Sequence, residues 1–216
     1  MNDRTHLAAV AERPASPREK RRTMAVALPV HALHDGYSDL VYVMLPIWQA
    51  EFALSYAAVG LLRSMLSGAM AAFQIPAGLL AERIGGASVL AAGTALAGLC
   101  FCLLGWSTGY AFVAAALLLG GLGSSAQHPI GSALVAHAFA GRQSLAAIGT
   151  YNFSGDVGKM LFPAAATLLM LWLPWRSSVV VLGAVGIAAA AAVFMSLPQL
   201  VTSAAQSADR SGTRVR

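Results

Sequence analysis

Charge is what this sequence has least of. Across 216 residues only 11% are Asp, Glu, Lys or Arg, while 57% are hydrophobic. A water-soluble domain usually carries about 25% charged residues. So few charges cannot coat a globule in water, which leaves lipid as the solvent for most of the surface. Cysteine is scarce too. Cys100 and Cys102 are the only two, and at that spacing they project about 200° apart around a helix, so neither a disulfide nor a shared metal is expected. No Gly-x-Ser-x-Gly, His-Glu-x-x-His or paired intramembrane aspartate motif is present, which argues against an enzyme. Arg21-Arg22 before an apolar run could open a twin-arginine export signal, but the segment that follows is too long and carries His31, His34, Asp35 and Asp39.

What is there is apolar sequence in helix-length blocks. Bilayer hydrocarbon needs about 20 mostly apolar residues in a helix. Spans are expected near 24–49, 57–81, 87–106, 110–139, 144–172 and 177–197. They form one transmembrane domain over 24–198, between polar tails at 1–23 and 199–216. Glycine, with 21 residues, suits close helix packing, above all in the run Gly120-Gly121-Leu122-Gly123.

The net charge of +5 comes mainly from the tails, so topology rather than nucleic-acid binding is its expected use. With the N-terminus inside, eleven of the fourteen basic residues fall on the inner side and only Arg176 on the outer; Arg63 and Lys159 lie within spans. Both termini are therefore expected to be cytoplasmic, in a multi-pass protein of the plasma (inner) membrane.

Charged groups inside a bilayer cost several kcal/mol unless paired or facing a cavity. Here they follow helical spacing. His31, Asp35, Ser38, Asp39 and Tyr42 form one stripe in the first span, with His34 beside it. Arg63, Ser67 and Gln74 align in the second. Ser124, His128 and Ser132 align in the fourth, with Gln127 alongside, and Asn152, Asp156 and Lys159 align in the fifth. The third and sixth spans hold no ionisable residue and are expected to sit against lipid all round. The polar set describes a hydrated path for a small-molecule substrate and for protons.

Three interior acids, Asp35, Asp39 and Asp156, face two interior bases, Arg63 and Lys159. One carboxylate is left without a cation, and such a group can exchange a proton. Asp35 and Asp39 are the candidates for proton coupling, Asp35 favoured because it lies deeper. Lys159 either neutralises Asp156 or binds an anionic substrate group. The stretch 155–160 fails as a phosphate-binding loop: residue 153 is Phe where Gly is required and Met160 replaces Ser or Thr. His31, His34 and Asp35 are metal-ligand residue types, but no further ligand is evident in sequence, so neither a metal nor another cofactor is expected. Pro129 after His128 predicts a kink.

Ser67-Gly68, seven residues, Pro76-Ala77 in the second span is repeated as Ser154-Gly155, seven residues, Pro163-Ala164 in the fifth. A shift of three spans reverses direction across the membrane, so the fold class read here is an all-α membrane protein of six transmembrane helices arranged as a 3+3 inverted repeat.

The segment 78–86, Gly-Leu-Leu-Ala-Glu-Arg-Ile-Gly-Gly, resembles the loop between the second and third helices of major facilitator superfamily transporters. Its loop residues are Gly78, Glu82, Arg83 and Gly85. Glu82 stands where the pattern has Asp, and Gly86 where it has a base, which weakens any charge relay through the loop. The text at 34–40, 61–63, 74–78, 120–129 and 149–159 is similar to the N-terminal half of the fosmidomycin resistance branch of that superfamily. The resemblance implies proton-driven export of a small molecule by alternating access. It also implies twelve spans in two halves, of which this sequence supplies six. A second six-helix half is therefore expected, as another copy of the chain or a separately encoded partner. A non-transporting or regulatory membrane subunit is the other reading.

Overall fold

The computed structural model describes residues 15–139 and 141–212, with side chains described through residue 196. The outer parts of both expected tails, 1–14 and 213–216, lie outside the described residues. Seven helices and no strand occur among the described residues: α1 (Pro17–Glu51), α2 (Tyr56–Ile84), α3 (Gly86–Leu104), α4 (Tyr110–Ser124), α5 (Gln127–Ala138), α6 (Arg142–Leu169) and α7 (Trp175–Gly212).

Local chemistry sets several of the ends. Ser16 caps α1 and Glu19 returns a bond to the Ser16 backbone, with Pro17 in the first turn. The helix thus starts seven residues before the apolar block does. Ser55 caps α2 by accepting from the Ala58 N–H. Gly85, at φ +92°, ends α2 and turns the chain into α3, a conformation that favours glycine. The expected fourth span is broken: α4 stops at Ser124 and α5 starts at Gln127. Pro129, which lacks an N–H to bond the preceding turn, accounts for the break. At the other end α7 continues past the expected limit at residue 197 to Gly212.

Among the described residues, four stretches are long and apolar enough to cross a membrane: Tyr56–Ile84, Gly86–Leu104, Tyr110–Ala138 and Trp175–Ser196. α1 and α6, at 35 and 28 residues, are long enough but fall short in apolarity, because they carry the polar stripes. At 1.5 Å per residue each still exceeds the roughly 30 Å of hydrocarbon.

The main packing pairs are α1 with α6, α3 with α7, α3 with α4, and α2 with α4. In span order these are first with fifth, third with sixth, third with fourth, and second with fourth. Exchanging spans one and four, two and five, three and six converts first-with-fifth into second-with-fourth and returns third-with-sixth to itself, as an inverted repeat requires. The third-with-fourth pair has no comparable counterpart, because the first and sixth spans touch only lightly. The sequence echo is looser than the packing. Gly68 has open space around it, whereas its counterpart Gly155 lies against Asp35 and His31.

The core is built on α1. Tyr37, Leu40, Val41, Met44 and Trp48 are buried against Leu62, Phe101, Leu104 and Leu117, and the Tyr37 hydroxyl donates to the Leu182 carbonyl at 2.6 Å. Gly158 lets α6 meet α1 backbone to backbone, since a Cβ there would overlap the Ala32 carbonyl. One expectation is corrected. The third and sixth spans do not face lipid all round: 56% of the apolar window of α3 and 39% of that of α7 are buried within the bundle, against 11% for α2. Lack of charge cannot distinguish a helix that touches lipid from one that touches other helices, and Gly93 and Gly98 let α3 approach α4 and α7 closely.

Candidate functional site

α1, α5 and α6 bring a cluster of titratable side chains together. Asp35, buried on α1, is its centre. Its Oδ2 pairs with Lys159 Nζ at 3.3 Å, and its Oδ1 faces His31 Nε2 at 3.5 Å and His128 Nε2 at 3.8 Å. Lys159 also donates to Asp156 at 3.0 Å. Gly155 creates the room, because a Cβ there would meet Asp35 Oδ2 and His31 Cε1. Lys159 is thus held by two carboxylates.

His31 is held in place by Tyr151, which sequence reasoning did not single out. The two rings stack at 3.9 Å, 5° from parallel. His31 Nδ1 donates to the Tyr151 carbonyl at 2.8 Å, so in the neutral ring Nε2 carries the lone pair and points at Asp35. Gln127, also buried, donates to the Tyr151 hydroxyl at 3.0 Å. An aromatic residue in an apolar helix gives no sequence signal for such a role.

His34 points elsewhere. It is buried between α3 and α4, with Nε2 3.0 Å from Thr94 Oγ1 and Nδ1 3.2 Å from Ser124 Oγ. Thr94 spends its own proton on the Leu90 carbonyl, so it accepts from His34 and fixes that ring's tautomer. His34 and Ser124 therefore bond to each other inside the bundle, away from the Asp35 cluster.

The remaining candidates lie on the open side. Asp39 is half-buried and forms no ion pair among the described residues. Arg63 bonds Ser67 and lies over the Tyr42 ring at 4.6 Å, with no carboxylate partner among the described residues. Tyr42 is 55% exposed, Gln74 is half-buried, and Asn152 and Asp156 are exposed. Ser132 turns back onto its own helix, donating to the His128 carbonyl at 2.5 Å. Gly78, Glu82 and Arg83, expected in a loop, lie instead in the last turns of α2, with only Gly85 between α2 and α3; Glu82 and Arg83 are exposed and Gly78 has open space. Gly86, the departure from the pattern, packs against Ile130, which a Cβ would press at 3.0 Å.

A second polar group, absent from the sequence reading, closes the opposite end. Arg176 pairs with Glu51 at 2.5 Å and donates to the Ser107 carbonyl at 3.0 Å, and Trp175 Nε1 donates to Glu51 at 2.5 Å.

An ion-paired cluster centred on buried Asp35, set among apolar helices of membrane-spanning length, marks a multi-pass membrane protein. Residues 28–215 match the family model of the Major Facilitator Superfamily, and the chain belongs to that superfamily, one of transporters rather than enzymes. It is 30% identical over 165 residues to a protein of Cupriavidus pinatubonensis named Probable 4-methylmuconolactone transporter, covering 74% of this chain and 38% of that protein. It is also 30% identical over 142 residues to the Fosmidomycin resistance protein of Escherichia coli, covering 65% of this chain and 34% of the relative. The chain thus spans less than two fifths of each of these relatives. Among solved structures, a bacterial homolog of the human lysosomal transporter Spinster, in an inward-facing and unoccupied conformation, shares the fold. Its TM-score is 0.71 at 18% identity, over 84% of this chain and 43% of that one.

Proposed function

We propose that this chain is one half of a secondary transporter that exports a small molecule in exchange for protons. It works by alternating access across the plasma (inner) membrane, with both termini cytoplasmic. A second six-helix half, another copy of the chain or a separately encoded partner, closes the path. The polar faces of α1, α2, α5 and α6 line that path, and the two halves rock around it.

One observation carries the proton assignment. Of the three interior acids, Asp35 and Asp156 share Lys159, while Asp39 has no cation among the described residues. Depth within the span favours Asp35 in sequence; the lack of a cation beside Asp39 among the described residues supports Asp39 for the role. A half-buried carboxylate without a partner can be neutralised by a proton without breaking an ion pair, and its protonation biases which side of the membrane the cavity faces.

The test uses proteoliposomes with an imposed pH gradient and a pH-sensitive dye inside. Fosmidomycin and 4-methylmuconolactone, taken from the relatives' names, are the first substrates to add. Wild-type protein should move protons when substrate is added. Asp39→Asn should abolish that movement while the protein stays folded. Undiminished gradient-driven flux in Asp39→Asn would refute the assignment.

A further inference from the structure

We infer that His31, Asp35 and His128 form a binding site for one divalent first-row transition-metal ion. His31 and Asp35 alone, one turn apart on α1, did not make a site. The structure adds His128 from α5, more than ninety residues along the chain, so that His31 Nε2, Asp35 Oδ1 and His128 Nε2 all lie within 4.8 Å of one another.

The distances favour an ion over direct bonding. Two imidazole nitrogens face one carboxylate oxygen at 3.5 and 3.8 Å, beyond the 2.7–3.2 Å of a hydrogen bond. Ligand atoms about 2.0–2.1 Å from a tetrahedral ion stand roughly 3.3 Å apart. The triangle is too wide for hydrogen bonds and within a few tenths of an ångström of a coordination face on two edges. The remaining edge closes by movement of His128, whose side chain is 44% exposed and free to adjust.

The surroundings fit as well. His31 donates its other ring nitrogen to the Tyr151 carbonyl at 2.8 Å, the outer-shell bond that orients a metal-binding histidine and presents its second nitrogen to the ion. Lys159 occupies Oδ2 at 3.3 Å and leaves Oδ1 to the ion. With neutral imidazoles, Asp35, Asp156 and Lys159 together leave the cluster one negative charge, which suits a cation. Two imidazoles and one carboxylate select zinc, cobalt, nickel or copper over magnesium or calcium. The exposed side of His128 leaves room for a further ligand, water or solute. A bound ion would tie α1 to α5. The site stands on its own geometry and does not depend on the transport reading.

The test titrates cobalt(II) chloride into the protein held in nanodiscs, purified without a polyhistidine tag. Wild-type protein should take up one ion with the visible absorption of a four- or five-coordinate cobalt centre, and zinc should displace it. His128→Ala, which removes the most exposed ligand, should weaken binding at least about tenfold, and Asp35→Asn should do the same. His137→Ala, at the far end of α5 with its ring bonded to its own helix, should leave binding unchanged. Absence of the visible band, its survival at full affinity in His128→Ala, or an equal loss in His137→Ala would overturn the site.

Discussion

Glu51 lies just beyond the expected end of the first span at residue 49, where Arg176 and Trp175 both reach it. Burial pushes its carboxyl up, but the hydrogen bonds from Arg176 and Trp175, with the guanidinium charge, outweigh that and hold it below its ordinary value. A carboxylate held low in the folded state contributes stability that is fully present above the ordinary value and is lost as pH falls through the lowered one. Glu51→Gln should therefore melt below wild type at neutral pH, by up to about 1 kcal/mol. The two melting curves should converge once the solution is acid enough to protonate Glu51. Parallel curves at all pH values would show that the pair contributes no charge-dependent stability. At this scale the sequence disclosed an imbalance without its resolution. Counting three interior acids against two bases required only spacing, but which acid went unpaired depended on Lys159 reaching across from α6 to Asp35 on α1. Tyr151 and Thr94 were not legible for a similar reason: each acts through an atom ordinary to its residue type, a backbone carbonyl and a hydroxyl.

Helical periodicity made the stripes on α1 and α6 readable, because residues three and four apart share a face whatever surrounds the helix. The same periodicity could not say what the blank helices touch. α3 carries no charge and is largely enclosed, through small residues that let neighbours approach. The α1–α6 contact offers the sharpest check of that principle. A Cβ on Gly158 would overlap the Ala32 carbonyl, whereas Gly149 on the same helix has nothing within 4 Å. Gly158→Ala should destabilise the bundle by about 1–3 kcal/mol, because backbone rather than a flexible side chain must yield. Gly149→Ala should be neutral or slightly stabilising, since alanine favours helix by up to about 1 kcal/mol over glycine. Thermal unfolding in one detergent, followed by loss of helical circular dichroism, separates the two. Equal melting temperatures would mean that α1 and α6 do not pack this closely.

For the whole molecule the question is what covers the polar face. Lys159, Asp156, Asn152 and Tyr42 are exposed at the surface of the bundle, and the Asp156 side chain is 67% exposed. Ionised groups facing hydrocarbon cost several kcal/mol each, far more than a transmembrane bundle can absorb at several positions. Water in a cavity between two halves removes that cost, which is why a second half belongs to the functional reading. If that half is a second copy, the natural arrangement is a two-fold pair with the α1, α5 and α6 faces opposed. Subunit counting at low protein density in nanodiscs should then give twice the 22.3 kDa chain mass. Asn152→Cys should react with a water-soluble, membrane-impermeant thiol reagent, while Leu161→Cys, an exposed apolar position on the same helix, should not. A single copy whose residue 152 stays unreactive would place that face against lipid and remove the hydrated path. A single copy that does react would keep the path and require a cover of different sequence.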